Sequence, residues 1–218
     1  MTRFLLAVLL ATLALAAVSA AQAKAPPGGV DVCGASGCVH VAFQQSELLW
    51  TGLSEVGRPL RVPAPFYVLR WTWGPSQPAQ TAYYVPSAGA VRWPNAGGEP
   101  ATWMRIGPAT APALVAATQG LAPYPVNPPT AVTVGTKQAR GPETYFRLLE
   151  GRDAGIAPAT LWVPVRMRSD PMSPWTDDRS VIHVSARGRS RLVLVDGWVH
   201  RVPLWVANRA RRGLPLNP

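Results

Sequence analysis

Short runs of apolar and β-branched residues, separated by turns rich in Pro and Gly, recur along most of this chain, and their period is two rather than 3.6. Val30-Asp31-Val32-Cys33 and Cys38-Val39-His40-Val41 flank Gly34-Ala35-Ser36-Gly37, which predicts a hairpin with facing cysteines. Residues 66–73, 81–85 and 102–106 predict further strands; prolines at 59, 63, 65, 86, 94 and 100 keep these runs short and place several at sheet edges. Residues 131–134, 161–167, 181–185, 191–195 and 198–202 read as strands too. The last two are separated by Asp196-Gly197. Asp-Gly between alternating apolar runs predicts a type I′ hairpin, because that turn needs positive φ at both central residues.

Helical signals are few. Residues 112–119 and 142–150 each begin with Pro in the first turn and stop at Gly. The second turns Tyr145, Phe146, Leu148 and Leu149 toward a core and Arg147 and Glu150 toward water. Pro203 opens a short basic helix over residues 204–211. Strands come in neighbouring groups instead of alternating with helices, so the expected class is α+β: a mainly antiparallel sheet with two or three short helices and Pro-rich loops.

The start of the chain breaks this pattern. Arg3 precedes the apolar run 4–18, interrupted only by Thr12, and small residues follow at Val18-Ser19-Ala20 and Ala21-Gln22-Ala23. These are the three parts of a secretory signal peptide, and the run is shorter than the ~20 residues of a spanning helix. Residues 1–23 are expected to be removed, with Ala20 as the other cleavage option. What remains, 24–218, is 195 residues (218 minus 23), the size of a single secreted α+β domain with its own core. Nine Trp and regular Val- and Leu-rich runs argue for a folded chain despite 24 Pro and 19 Gly.

Charge adds an asymmetry. The chain carries +10, nearly all of its basic residues are Arg, and from Arg179 onward eight Arg face only Asp196, a net of +7. Such a field suggests an anionic partner, and Arg187, Arg189, Arg201, Arg209, Arg211 and Arg212 are the candidate anion-binding residues. The plainer reading is a solvated face, with Arg favoured over Lys by a GC-rich genome and serving only solubility.

Cys33 and Cys38, an even pair in a chain bound for an oxidising compartment, predict a disulfide. The alternative adds His40 and reads three ligands for Zn²⁺ or Cu⁺, but no fourth ligand stands nearby. Ser169-Asp170-Pro171-Met172-Ser173-Pro174-Trp175-Thr176-Asp177-Asp178 is the densest polar stretch. Its carboxylates would serve Ca²⁺, or acid and base roles about a sugar stacked on Trp175; the plainer reading is a turn whose Asp residues accept backbone hydrogen bonds while Trp175 lies on the sheet. Arg and Trp neighbour each other at Arg70-Trp71, Arg92-Trp93, Trp103 with Arg105 and Trp198 with Arg201, a pattern shared by stacking surfaces and by ordinary cores. Ser185 or Ser190 with His183 and Asp196 makes a Ser-His-Asp set on paper, yet no nucleophile elbow, Walker loop, dinucleotide glycine pattern or zinc-helix motif accompanies it.

Phe66-Tyr67-Val68-Leu69-Arg70, Tyr84-Val85-Pro86-Ser87-Ala88-Gly89 and Ser173-Pro174-Trp175-Thr176-Asp177 together resemble exported proteins of high-GC Gram-positive bacteria whose function is unassigned. The resemblance covers patches of the chain beyond the leader; it implies an extracytoplasmic location and carries over no functional residue. The expectation is therefore a secreted or envelope-associated, non-catalytic binding or scaffolding domain that meets an anionic envelope polymer. A secreted hydrolase of cell-wall glycan or ester, using Asp170, Asp177, Asp178 and the histidines, is the alternative. No cofactor, no metal, no sequence-specific nucleic-acid contact and no membrane span after leader removal are expected.

Overall fold

A computed structural model describes residues 28–42, 46–47, 49, 51–55, 58, 60–73, 78–93, 101–155, 161–177 and 182–217. The signal-peptide reading of residues 1–23 lies outside the described residues, as do Asp178 and Arg179.

Two seven-stranded antiparallel sheets form the architecture. The first contains β1 (Gly29–Gly34), β2 (Gly37–Ala42), β3 (Leu53–Glu55), β4 (Tyr67–Thr72), β5 (Gln80–Val85), β6 (Ala90–Trp93) and β7 (Thr102–Ile106), in the order β2-β1-β4-β5-β6-β7-β3. The second contains β8 (Ala131–Val134), β9 (Lys137–Gln138), β10 (Arg152–Gly155), β11 (Trp162–Arg168), β12 (Ile182–Ser185), β13 (Leu192–Val195) and β14 (Trp198–Arg201), in the order β10-β14-β13-β12-β11-β8-β9. The α-helices α1 (Ala111–Thr118) and α2 (Leu204–Arg211) accompany them. Residues Pro142–Leu148 form a 3-10 helix, tighter than the α-helix the Pro and Gly boundaries suggest. The expected α+β class, mainly antiparallel with few short helices, is what the chain adopts.

Alternation on the strands of the first sheet divides its side chains between two cores. Leu69, Trp71, Tyr84, Val91 and Trp93 pack with Leu114 and Ala117 of α1 on one side. Tyr83, Val85, Ala90 and Trp103 lie on the other, in one cluster with Val165, Met167, Ile182, Val184, Val193 and Val195 of the second sheet. Tyr145 and Leu148 of the 3-10 helix and Val206, Ala207 and Ala210 of α2 join that shared core. Each such aliphatic side chain stabilises the fold by roughly 1.5–3 kcal/mol when taken from water.

Two hairpins match the sequence reading closely. Cys33 and Cys38 are directly opposite in the β1–β2 register and are joined as a disulfide, with Cα atoms 4.0 Å apart. The turn between them docks on a loop: Ala35 N donates to Ala122 O (2.7 Å), and Ala122 N donates to Ser36 Oγ (2.8 Å). A Cβ on Gly34 would run into that same Ala122 carbonyl, which explains the glycine there. Between β13 and β14, Asp196 and Gly197 take φ of 43° and 83°, the positive values a type I′ turn demands.

Candidate functional site: charged clusters and the C-terminal basic surface

Arg92 comes from the middle of β6 and points between the sheets, fully buried. Asp196, from the β13–β14 turn, receives Arg92 Nε at 3.1 Å and Trp103 Nε1 at 3.1 Å on Oδ2, and Arg92 Nη2 at 3.3 Å on Oδ1. Asp177 receives Arg92 Nη1 at 2.8 Å. Burial alone opposes the charge on Arg92, but the carboxylates of Asp196 and Asp177 outweigh it and hold the guanidinium above its ordinary range. Chemically this triad is closed: it joins the first sheet to a turn of the second and to the loop ahead of β12. Arg92 therefore does not belong to a stacking surface with Trp93.

Of the plainer reading of the Asp-rich loop, the inward-folded Trp175 is seen, whereas the Asp177 carboxylate accepts from the Arg92 side chain. Ser169, Ser173 and Thr176 are buried and hydrogen-bond through their hydroxyls, Ser169 Oγ to Thr176 Oγ1 at 2.5 Å and Ser173 Oγ to Thr176 Oγ1 at 2.9 Å. The Asp170–Pro171 peptide is cis. Trp175 lies buried against Trp103, ring centroids 6.0 Å apart, and its Nε1 donates to Leu60 O at 3.0 Å. Asp177 is committed to Arg92, while Asp170 is exposed and offers its backbone carbonyl to Asn127 Nδ2 at 2.6 Å. Among the described residues no cluster of three His, Cys, Asp or Glu side chains is arranged to hold a metal ion.

The histidines lie apart from any Ser-His-Asp set. His40 Nδ1, on the mostly exposed β2, contacts Asp31 Oδ1 of β1 at 2.7 Å. His183 sits opposite Pro164 and Leu194; burial lowers its pKa, and its Nδ1 has no hydrogen-bond partner among the described residues. Asp196 faces Arg92 instead. His200, 2% exposed, stands opposite Asp153 across β10 and β14, with Nδ1 3.7 Å from Asp153 Oδ1. Arg58 Nη1 reaches Asp153 Oδ2 at 3.0 Å; Arg61 reaches Asp153 Oδ1 through Nη2 and Gly151 O through Nη1 at 2.8 Å. Arg58 also lies over the Trp198 ring, 5.9 Å from its centroid. Burial, then the Arg61 charge, pushes the His200 pKa down to about 4. Sequence reading missed this cluster because Arg58 and Arg61 are more than ninety residues from Asp153.

The six C-terminal arginines divide into two groups. Arg187, Arg189, Arg201 and Arg212 are exposed, as is Arg191. Arg201 faces Arg152 directly across β14 and β10, so two like charges share one face at the sheet margin. Arg209 and Arg211 are half-buried and face inward to backbone: Arg209 Nε donates to Pro215 O, and Arg211 spans the β12–β13 connection. None of the ion pairs among the described residues uses any of the four exposed members or Arg191. Exposed guanidinium groups without a carboxylate partner among the described residues can attract anions.

The chain matches no protein-family model, no curated protein and no solved structure.

Proposed function

We propose that this protein is a non-catalytic binding domain of the cell envelope or extracellular space that holds a polyanion on its C-terminal basic surface. One observation carries the reading: the only acidic side chain after Arg179 is Asp196, and it is buried against Arg92. The Arg92, Asp177 and Asp196 triad carries −1 of the +9 that remains once Arg3 leaves with the leader, so the rest carries +10. Field from that excess falls on solvent, where it concentrates anions and steers them. Location in the envelope rests on the signal-like leader and is supported by the disulfide.

Retention on isolated cell-wall material tests the reading. Binding is expected to fall steeply as salt rises, since each phosphate neutralised by an Arg releases counterions. Retention that ignores salt would refute it. The hydrolase alternative has His200 beside Asp153 in its favour, but Arg58 and Arg61 already occupy that carboxylate. Release of soluble wall fragments by the wild type, abolished in Asp153→Asn, would restore that alternative.

A further inference from the structure

Between β12 and β13 the chain reverses over Ala186-Arg187-Gly188-Arg189-Ser190. Ser190 N donates to Arg187 O at 2.9 Å, closing a β-turn with Gly188 and Arg189 at its centre. Serine hydroxyls brace both flanks: Ser185 Oγ accepts from Arg187 N (3.4 Å) and Ser190 Oγ from Leu192 N (3.3 Å). Three carbonyls in and beside the turn converge on Arg211. Its Nη1 donates to Ser185 O (2.9 Å) and Ser190 O (3.1 Å), and its Nη2 to Gly188 O (2.9 Å) and to Asn208 Oδ1 (2.5 Å).

A guanidinium is a rigid planar fork of five donors and can hold three carbonyls at once; an ammonium is a point donor and cannot span them. With those carbonyl oxygens engaged by Arg211, they are not left to repel an anion. On the outer side Arg187, Gly188 and Arg189 are exposed, with Arg191 two residues further on. Arg211 adds its own positive charge from beneath. An anion at this turn therefore meets the exposed side chains of Arg187 and Arg189 on a backbone already fixed, so binding orders side chains and not the loop.

We propose that the Arg211-braced turn is a binding site for phosphoryl groups carried on a soluble or wall-bound polymer, with Arg187 and Arg189 as the contacting residues and Arg211 as a positioning residue. The inference rests on the polyanion reading above and narrows it to one site and one anion chemistry. A guanidinium pairs its N–H donors with carboxylate and phosphate alike, but a phosphoryl group offers more acceptor oxygens and charge than a carboxylate, so two arginines can share one group. A lipid surface fits less well, because among the described residues the turn carries no aliphatic side chain larger than Ala186 and no aromatic one, with Leu161 the large apolar side chain exposed beside it.

Titration of the full, disulfide-intact protein with inorganic polyphosphate at about 50 and about 300 mM salt tests the site. Arg187→Gln with Arg189→Gln is expected to weaken binding roughly tenfold or more. Arg70→Gln with Arg105→Gln removes the same charge from exposed positions of the first sheet and is expected to change affinity less than about twofold. Arg211→Lys keeps the charge but loses the three-carbonyl brace, and a weakening of roughly threefold or more is expected. Equal losses in the two double variants would overturn the site while leaving a diffuse basic surface. So would an Arg211→Lys protein that binds like wild type. Because Arg187 and Arg189 are exposed and outside the core, their variant remains decisive even if Arg211→Lys unfolds. Absence of any salt-dependent polyphosphate binding would remove the polyanion reading as well. Tighter binding to phosphatidylglycerol vesicles than to polyphosphate would overturn the polymer assignment.

Discussion

A single arginine shows how this protein reconciles charge with burial. Arg92 is fully buried, and Asp177, Asp196 and their shared network supply its compensation. Arg92→Met leaves two carboxylates facing each other in the core, so a loss of about 3–5 kcal/mol is expected in urea unfolding. A loss under about 1 kcal/mol would mean that the carboxylates find water without it. His200 gives a second test. Its folded pKa of about 4 lies below the unfolded 6.5, so the unfolded chain takes up a proton between those values while the folded chain does not. The stabilisation is fully present above pH 6.5 and is lost as pH falls toward 4, by an amount on the order of 3 kcal/mol. Asp153 and Arg61 are the charged groups that face it. His200→Phe should flatten this part of the stability profile, and an unchanged pH dependence in that variant would exclude His200 as its source.

At the level of elements, the β1–β2 hairpin is the best-determined unit. Closing the five-residue separation between Cys33 and Cys38 should stabilise by about 2 kcal/mol, so Cys38→Ser is expected to lower the unfolding midpoint, and thiol titration of the unfolded, unreduced protein should find none. Hairpins, the Asp196-Gly197 turn and α2 are legible because their signals are local: a turn dipeptide, facing cysteines, a Pro ahead of a basic helix. β6 was not legible, since all four of its residues are buried and Arg92 disguises its inner face as a polar one. β10, with the sequence Arg-Asp-Ala-Gly, has no apolar alternation and is a strand only because it pairs with β14 at the sheet margin. The basic surface was visible as a count of arginines. Which of them face solvent was not, because the inward role of Arg211 depends on carbonyls more than twenty residues away.

For the molecule as a whole, the connection between the sheets bears on how the chain is made. The inner face of the first sheet belongs to the same core as the second sheet, and Arg92 within it is neutralised by residues 85 and 104 positions further along. As the chain emerges from a ribosome or a translocation pore, the first sheet cannot bury Arg92 until Asp177 and Asp196 have also emerged. A chain ending at Val134 holds the complete first sheet and neither counter-charge, and it is expected to show no cooperative unfolding transition and rapid proteolysis, whereas a chain extended through Pro218 folds. A sharp transition in the shorter chain would contradict this. A chain that stays slack until such late counter-charges arrive would meet the condition a polypeptide needs if it is to be threaded across a membrane before it folds.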